Sequence, residues 1–568
     1  MTRYLSGCQP TFKRIAVACA FSFFCSVQAQ QPGAISVGSD ALSVQAETGD
    51  TLTTIAEKFT DKGSNWNAIG KYNHIKNDRA IPIGYQVKIP FQLLREVQVQ
   101  AKVVAFAGAA RMGPDSASAQ AVAIGRLAAE GMLVLTGKNE FVTLELPDKS
   151  RISIPSNSTL KLTKLRVRAY ANSPITELTL ITGRVESSVS SLKENNGRYE
   201  VHTPLSIAGV RGTHFRVDAA DGQVGNEVLE GNVVVGRDTG LNARSNSVSN
   251  SISLPAGTGA VVSATALGAV TPLLPAPQLQ NSTAVQERIL VKFITEANSL
   301  AKSYRAQIAV DSQMQNLIQE NLFVEPVFKF SDLDDGDYFI RVTAIDRQGL
   351  EGIPSVTPFK LKARPEPPFN IAPKKKTRAQ QVEFSWSEAA DAISYHLQIA
   401  SDAQFQHLLQ DQPQLSAHQY TAEHLPLGRF FWRVATISMK NGKPDHGPFG
   451  DVEPVDLMAP AANLPPVSDQ GGAEMQFSWS AEAGQHFVLQ MSDDPKFNHL
   501  IVDKQLATPE FNLARPPAGS YYLRVQAIDA DGYIGAFSST QRISIFNMLV
   551  SGDGSPVNSA AGVIRSAN

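Results

Sequence analysis

Two hydrophobic periods follow each other near the start of the chain. Apolar residues alternate over 42–46, which predicts a short strand. The next apolar residues recur with helical spacing, at Leu52, Ile55, Ala56 and Phe59. Asp50 stands where an N-cap would accept free backbone N–H groups of this helix, and Ser64 is expected to cap a second short helix that carries Trp66. Residues 83–90 predict a turn and a returning strand, so the whole segment predicts a compact βααβ unit.

This segment resembles the LysM module, a small domain that binds N-acetylglucosamine-containing glycans, in bacteria usually peptidoglycan. The resemblance rests on VQAETGDTLTTIAEKF, NWNAIGKYN and IPIGYQVKIP, in the order that the family has them. In LysM modules the glycan lies between the loop that opens the first helix and the loop that enters the second strand. The resemblance therefore implies glycan-binding residues at Gly49, Asp50, Thr51, Leu52, Ala80, Ile81, Pro82 and Ile83.

A groove of this kind suits an uncharged saccharide. Backbone N–H and C=O groups can pair with its hydroxyl and acetamido groups, and a few apolar contacts complete the site. The alternative is that Asp50 is only a cap and Ile83 only a core residue. Both roles are compatible with binding, because the same loops hold the module together and form the groove.

A second pattern, of short strands with a period of two, extends from about residue 131 to 236. Val142, Leu144 and Leu146 share one face, residues 148–150 predict a turn, and Ile152 resumes the alternation. The order of the segments resembles the FecR domain, most clearly in TPLSIAGVRGTHF and in the later EGNVVV. FecR domains are stacked β-structures found in envelope regulators of sigma factors and, more widely, in exported multidomain proteins.

Within that segment, Gly212 stands between Arg211 and Thr213, which predicts a bulge or a close approach of two strands. We expect Arg211 to be held by a carboxylate or by carbonyl groups and to have a structural role. The sigma-factor regulators carry a cytoplasmic anti-sigma segment before a transmembrane helix, and the sequence ahead of this domain shows neither pattern. Direct control of a sigma factor is therefore disfavoured.

The second half of the chain repeats itself. The glutamines at 307, 398 and 490 stand 91 and 92 residues apart, and the arginines at 341, 433 and 524 stand 92 and 91 apart. Such a period indicates tandem copies of one domain, each of a size that fits a seven-stranded immunoglobulin-like sandwich. The segments GRFFWRV and GSYYLRV resemble the entry to the penultimate strand of fibronectin type III domains. Trp386 and Trp479 are expected in the cores rather than as ligand platforms.

The start of the chain predicts a secretory signal peptide over residues 1–29. Lys13 and Arg14 precede an uncharged run over 15–27, which is too short to span a bilayer and ends at a small-residue cleavage site. All 3 cysteines lie in this segment, so we expect a mature chain without disulfides or thiolate metal sites. Cys25 as a lipoprotein acceptor is the alternative, which the bulky residues before it disfavour. No later segment predicts a transmembrane helix.

Composition narrows the functional classes further. The net charge is −2 and charged residues make up 18%, without the clustered Lys and Arg that nucleic acid or an anionic membrane needs. The acidic run at 332–337 suggests calcium, but it lacks the later Glu of an EF-hand loop and a solvated turn is favoured. No histidine pair has metal-ligand spacing, and no nucleophile elbow, P-loop or catalytic carboxylate pair is found. We therefore expect no metal, no cofactor and no enzyme.

The expected fold is multidomain and mainly β: a small βααβ LysM module, a stacked-β FecR-like domain and three tandem immunoglobulin-like β-sandwiches. The expected division is signal peptide 1–29, LysM module 37–92, connector 93–130, FecR-like domain 131–240, linker 241–280, repeats 281–364, 365–458 and 459–546, and tail 547–568. The leading hypothesis is an exported, non-catalytic scaffold that binds peptidoglycan in the periplasm or at the cell surface of a Gram-negative bacterium and has an envelope protein partner. The alternative is a FecR-type envelope signalling or sensor protein.

Overall fold

The structure is a computed structural model that describes residues 32–79, 81–190, 197–210, 212–237, 251–280, 285–379, 381–459, 464–469, 472–549, 551–553, 557–559 and 562–564. The expected signal peptide, Ala80 and Arg211 lie outside these residues. The chain divides into two compact units. The first extends to Leu279 and includes Thr295–Pro326 and Phe339–Thr357; the second comprises Gln280–Ile294, Val327–Tyr338 and the chain from Pro358 onward.

The LysM-like segment opens the first unit with the expected order of elements. Its elements are β1 (Ile35–Val37), β2 (Ala41–Gln45), α1 (Leu52–Phe59), a 3-10 turn (Gly63–Asn65), α2 (Trp66–Asn73), β3 (Gln86–Pro90) and a second 3-10 turn (Phe91–Leu93). Strand β2 pairs antiparallel with both β1 and β3. The four apolar residues of α1 are all buried in one core with Leu42, Val44 and Ile69, as their spacing predicts.

The capping residues differ from the sequence prediction. Thr51, not Asp50, caps α1: the Thr54 N–H donates to Thr51 Oγ1 at 3.1 Å, and the Thr51 N–H donates to Thr54 Oγ1 at 2.9 Å. The Asp50 carboxylate instead accepts a bond from the Glu47 N–H at 2.7 Å, which closes the preceding turn. Ser64 lies within the 3-10 turn, and α2 begins without a side-chain cap.

The FecR-like domain of the first unit consists of two stacked sheets. Its strands are β4 (Glu96–Gln98), β5 (Ala101–Ala107), β6 (Arg111–Gly113), β7 (Gln120–Ala121), β8 (Leu127–Ala128), β9 (Leu133–Leu135), β10 (Phe141–Glu145), β11 (Arg151–Ile154), β12 (Thr159–Arg168), β13 (Ser173–Ser188), β14 (Arg198–His202), β15 (Ser206–Val210), β16 (His214–Ala220), β17 (Gln223–Glu230), β18 (Asn232–Arg237), β19 (Ser251–Pro255), β20 (Thr258–Ser263) and β21 (Thr271–Pro272). The alternating apolar residues of these strands, including Leu144, Leu178 and Val217, form one buried core.

Strand β13 joins the two sheets. Its first part pairs with β12, whereas its last part, from Gly183 onward, pairs with β16. Gly183 has a φ of +82°, and a Cβ there would stand 2.3 Å from the Asn157 carbonyl oxygen. Only glycine fits this position, because both the conformation and the close approach exclude a side chain.

The structure corrects the expected connector and linker, because both contain strands of the FecR-like domain. Strands β4 to β8 lie in the segment 93–130, where β5 pairs with β10 over five residues. Strands β19 and β20 lie in the segment 241–280, and they pair with β18 and β17. The small and polar residues of these segments do not prevent strand formation, since neighbouring strands supply the hydrogen bonds.

Three immunoglobulin-like repeats follow. Repeat 1 has β22 (Leu279–Gln280), β23 (Val291–Thr295), β24 (Ala301–Ala309), β25 (Leu317–Phe323), β26 (Val327–Phe330), β27 (Gly336–Asp346) and β28 (Ser355–Leu361). Repeat 2 has β29 (Asn370–Ala372), β30 (Lys375–Thr377), β31 (Val382–Trp386), β32 (Ala392–Ala400), β33 (Leu408–Leu415), β34 (Gln419–Ala422), β35 (Gly428–Lys440), β36 (Lys443–Phe449) and β37 (Glu453–Leu457). Repeat 3 has β38 (Glu474–Ser478), β39 (His486–Ser492), β40 (Leu500–Leu506), β41 (Glu510–Ala514), β42 (Gly519–Ile528), β43 (Ile534–Phe537) and β44 (Gln541–Ile545), and the tail has β45 (Asn558–Ser559) and β46 (Gly562–Val563).

The repeats share their strand order. In repeat 1 the larger sheet has the order β25-β24-β27-β28. The first three of these strands have equivalents in β33-β32-β35 of repeat 2 and in β40-β39-β42 of repeat 3. Trp386 and Trp479 are buried in the cores of repeats 2 and 3, which confirms the prediction for both. Over the described residues, the structure holds no helix with the length and apolar character to cross a membrane.

Candidate functional site

The loop that opens α1 forms one side of the predicted glycan groove. Gly49 has a φ of +88°, a left-handed conformation that glycine adopts at little cost. Asp50 and Thr51 are tied into the turn and the cap through their side chains, whereas Leu52 is buried. These side chains therefore shape the loop, and the turn at Gly49 is exposed to solvent.

The second predicted loop is held against the first by backbone hydrogen bonds on both of its flanks. The Leu52 N–H donates to the Asp78 carbonyl at 3.0 Å. Beyond the loop, the Gly84 N–H donates to the Ala46 carbonyl at 2.8 Å, and the Ala46 N–H donates to the Tyr85 carbonyl at 2.9 Å. The segment between these anchors, which includes 81–83, therefore lies beside the loop at 49–52.

The side chains of this second loop are mostly exposed. Ile81 packs partly against the core, Pro82 is exposed, and the Ile83 side chain is 60% exposed. Ile83 is therefore not a core residue, which corrects the alternative that the sequence left open. Ile83 and Tyr85 thus present exposed apolar side chains beside the loop at 49–52.

Sequence reasoning missed a neighbouring surface along α2. An open depression there is lined by residues 66, 67, 70, 71 and 74–76, and Trp66 is 37% exposed. The sequence pattern placed Trp66 on the second helix without predicting its exposure, and only Ile69 and Gly70 of α2 are buried. The signal available in the sequence was the polar and cationic neighbourhood of Trp66, with Lys71 and Lys76 close in the chain.

A cluster of buried charges lies elsewhere in the first unit, where the FecR-like domain contacts the larger sheet of repeat 1. We call this contact the junction. Its centre is Glu351, whose carboxylate accepts bonds from Arg184 at 2.8 Å, Arg305 at 3.0 Å and Arg216 at 3.2 Å. Arg184 also bonds to Glu320 at 2.8 Å. The charges are therefore paired across the junction, as buried ions require.

The carboxyl groups of the junction have opposite pKa shifts. Burial opposes ionisation of Glu351, but Arg216, Arg305 and Arg184 outweigh it and hold the pKa of Glu351 well below its usual range. Burial raises the pKa of Glu227 to about 8, since Arg216 compensates only in part and Glu351 adds repulsion. Glu227 is thus neutral near neutral pH, and its Oε1 accepts the Glu351 N–H at 3.2 Å.

A second ion pair and an apolar cluster complete the junction. Arg341 of β27 makes two parallel bonds to Glu186 of β13, each of 2.9 Å. Burial opposes ionisation of Glu186, but Arg341 and His214 outweigh it and hold its pKa well below the usual range. Beside the pair, Phe141 and Ala107 pack with Ala309, Met314, Leu317 and Phe339. The junction thus combines charge pairing with apolar burial.

The other candidate chemistry finds no support in the described residues. They contain no group of three or more His, Cys, Asp or Glu side chains arranged to hold a metal ion. In the acidic run at 332–337, the Asp335 carboxylate accepts the Ala363 N–H at 2.7 Å and pairs with Lys362 at 3.1 Å. Asp335 therefore ties its turn to the end of β28.

Two domain families match the chain. The LysM domain model matches residues 46–90, and the FecR protein model matches residues 132–234. A search of curated proteins finds no match. The chain thus contains a LysM domain and a FecR domain, followed by three immunoglobulin-like β-sandwiches. The domains found are of non-catalytic kinds, and both named families are typical of cell-envelope proteins.

Solved structures with similar parts are distant. A candidate anti-sigma factor from Parabacteroides distasonis is 17% identical over 27% of this chain and 68% of its own, with a TM-score of 0.19. Fibronectin modules FN1–FN3 of chicken CNTN1 are 14% identical over 48% of this chain and 98% of theirs, with a TM-score of 0.18. Fibronectin(III)-like modules of Clostridium thermocellum CbhA are 13% identical over 32% of this chain and 94% of theirs, with a TM-score of 0.15. At these scores no likeness carries a functional inference.

Proposed function

We propose that the protein is an exported, non-catalytic scaffold that binds peptidoglycan through its LysM domain and presents its β-rich domains to another envelope protein. The LysM match and the loop pair at 49–52 and 81–83 support the glycan-binding part. The backbone groups and exposed apolar side chains of these loops suit a neutral saccharide. The tandem sandwiches support the scaffolding part, because each of them adds an exposed sheet surface to the chain.

The groove can be tested by a point substitution. Ile83→Asp places a charge where a sugar ring is expected to lie, so we expect loss of most binding to purified peptidoglycan in a sedimentation assay. Ile124→Asp is the matched control, because Ile124 is 62% exposed and lies outside the LysM domain. Equal binding by the two variants would place the groove elsewhere, and equal binding by a variant that lacks residues 37–92 would refute the anchoring itself.

The deletion alone would be a weaker test, because the LysM domain packs on the FecR-like domain. Phe59 of α1 makes an edge-to-face contact with Tyr170 at 4.8 Å between ring centres, and Arg95 donates to the Thr60 carbonyl at 3.1 Å. Removal of the domain therefore also exposes its neighbour. Point variants with an unchanged thermal transition separate lost binding from lost structure.

A second candidate function is that of an envelope sensor or relay, which the FecR match favours. In that case the FecR-like domain transmits a signal to a membrane partner. Crosslinks through residues 131–236 and a transcriptional change on deletion of the protein would favour this function. The absence of both would leave the scaffold as the better account.

A further inference from the structure

The residues that repeat along the chain form the same cross-strand pair in all three sandwiches. The Arg341 Nε donates to Gln307 Oε1 at 2.7 Å. Arg433 donates to Gln398 Oε1 from Nε and Nη2 at 3.0 and 2.7 Å, and Arg524 donates to Gln490 Oε1 in the same way at 2.9 and 2.7 Å. All three sandwiches therefore have the same Gln–Arg pair on one face of the larger sheet. We call this surface the pair face.

Other residues of the pair face recur at the same spacing. An acidic residue is found at 320, 411 and 503, and a leucine at 317, 408 and 500. A large apolar residue with positive φ is found at Met314, Phe405 and Phe497. The three pair faces are thus variants of one surface, and their surroundings can be compared directly.

In repeat 1 the pair face is covered. It forms the junction inside the first unit, where Arg341 meets the carboxylate of Glu186 and Leu317 is only 4% exposed. Thr143 Oγ1 of the FecR-like domain also donates to the Gln315 carbonyl at 2.6 Å. This pair face therefore binds a β-domain through the Arg341–Glu186 pair, the bond from Arg184 of the FecR-like domain to Glu320, and the apolar residues beside them.

In repeats 2 and 3 the pair faces are open. Leu408 and Leu500, the equivalents of Leu317, are 43% and 37% exposed. Within the described part of the chain, no carboxylate stands within ion-pair distance of Arg433 or Arg524, whereas Arg341 has Glu186. Neither arginine therefore makes a direct ion pair of the kind that Arg341 makes with Glu186.

The arginines of the open faces are held in a fixed orientation. The Arg433 guanidinium lies between the rings of Phe405 and Phe449, at 3.9 and 4.2 Å from their centres. Arg524 lies between Phe497 and Phe537 at 4.0 and 4.2 Å. Burial lowers the pKa of Arg433, and the carboxylates of Glu287 and Asp411 offset this effect only in part. A guanidinium that is fixed and partly desolvated binds a carboxylate at a lower entropic cost than a flexible one.

We propose that the pair faces of repeats 2 and 3 are docking surfaces for a protein partner that presents an Asp or Glu side chain among apolar residues, as the FecR-like domain does with Glu186 and Phe141. The carboxylate of the partner would pair with Arg433 or Arg524, and its apolar residues would cover Leu408 or Leu500. This inference rests on the scaffolding part of the proposed function. It does not depend on glycan binding.

Photo-crosslinking in the cells that produce the protein tests this proposal. A photoreactive amino acid is placed in the full chain at Gln406 or Asn498, which are exposed two residues before the leucines. Glu383 and Gln476, exposed residues on the other sheets of the same repeats, are the control positions. We expect a discrete adduct from the pair faces only, with the crosslink mapped by mass spectrometry to a partner segment that contains Asp or Glu.

Two substitutions test whether the adduct depends on the arginine and the leucine of the pair face. Arg433→Glu should reduce the adduct from Gln406 at least tenfold, and exchange of the mapped partner carboxylate for Lys should restore it. Leu408→Asp, which leaves the stacked arginine in place, should also reduce it; this variant keeps the test decisive if Arg433→Glu destabilises the repeat. Arg524→Glu and Leu500→Asp serve in the same way for repeat 3.

Several results would overturn the proposal. These are no adduct, equal adducts from the control positions, a mapped segment without a carboxylate, or adducts that survive both substitutions. In each case the stacked arginines are structural only. Peptidoglycan sedimentation of the same variants is expected to remain at the parent level, so failure of the docking proposal is distinguishable from failure of the glycan-binding proposal.

Discussion

Glu227 connects the stability of the first unit to pH at the scale of a single residue. Its pKa is raised from 4.5 to about 8 in the folded protein. The folded state therefore holds a proton between these values that the unfolded state has released. Stability from this group is fully present below pH 4.5 and is lost as the pH rises toward 8, by at most about 1.4 kcal/mol per pH unit.

Glu227→Gln should remove this dependence. We expect the stability difference between parent and variant to shift with pH between 5 and 8, in favour of the variant at the higher pH. Amide exchange of residues 223–230, corrected for the intrinsic rate at each pH, measures it in the full chain. Glu186 and Glu351 do not interfere, because their lowered pKa values place their own losses below pH 4.5. A constant difference over this range would mean that Glu227 is ionised in the folded state.

At the scale of an element, the turn between β17 and β18 depends on Gly231. This residue has a φ of +82°, and a Cβ there would stand 2.9 Å from the Gly212 carbonyl oxygen. Gly222, in the turn between β16 and β17, has a φ of +71° but open space around the position of a Cβ. Gly222→Ala should therefore cost about 1 kcal/mol from backbone conformation alone.

Gly231→Ala should cost more, because the contact with backbone adds to the conformational term. Chemical denaturation of the full chain, followed by amide exchange in β17 and β18, compares the two variants. An equal loss of stability would show that the strands at Gly231 separate easily, and that the close approach does not restrain the turn.

Element periods were largely predictable from the sequence, but their neighbours were not. The alternation in 142–154 and the helical spacing in 52–59 reflect which side chains are buried. This information is therefore contained in the order of apolar residues within each segment. The sequence of strand β20 does not show such a pattern clearly. Its position depends instead on its pairing with β17. In the LysM domain, residue type predicted Asp50 as the cap, whereas the reciprocal bonds between Thr51 and Thr54 place the cap one residue later.

The candidate site was predictable to the extent that it is local. The loops at 49–52 and 81–83 were placed by motif, whereas the exposure of Ile83 depends on how the turn leaves the core. The junction was not predictable, because its charges lie between residues 184 and 351 and each alone resembles a solvated charge on a strand. The preserved Gln and Arg of the repeats were recognised as a period, but their contact required the strand register.

At the scale of the whole molecule, the junction joins the FecR-like domain to part of repeat 1 within the first unit, and we expect the two parts to unfold together. The Glu351 carboxylate accepts bonds from three arginines of the junction. It also accepts a bond from the Thr343 hydroxyl at 2.6 Å. Glu351→Gln keeps the shape and removes the charge, so Arg184, Arg216 and Arg305 remain buried with less compensation. Loss of one partner in such a cluster costs about 3–5 kcal/mol.

We therefore expect Glu351→Gln to lower amide protection on both sides of the junction, in β27 of repeat 1 and in β16 of the FecR-like domain. Glu325→Gln, at an exposed position between β25 and β26, is the matched control and should change neither. Hydrogen exchange of the full chain with peptide resolution makes the comparison. A loss confined to β27 would show that the two parts open independently. In that case the buried ions would specify how the sheets meet without coupling their stability, and a partner on the FecR-like domain could displace repeat 1 without unfolding it.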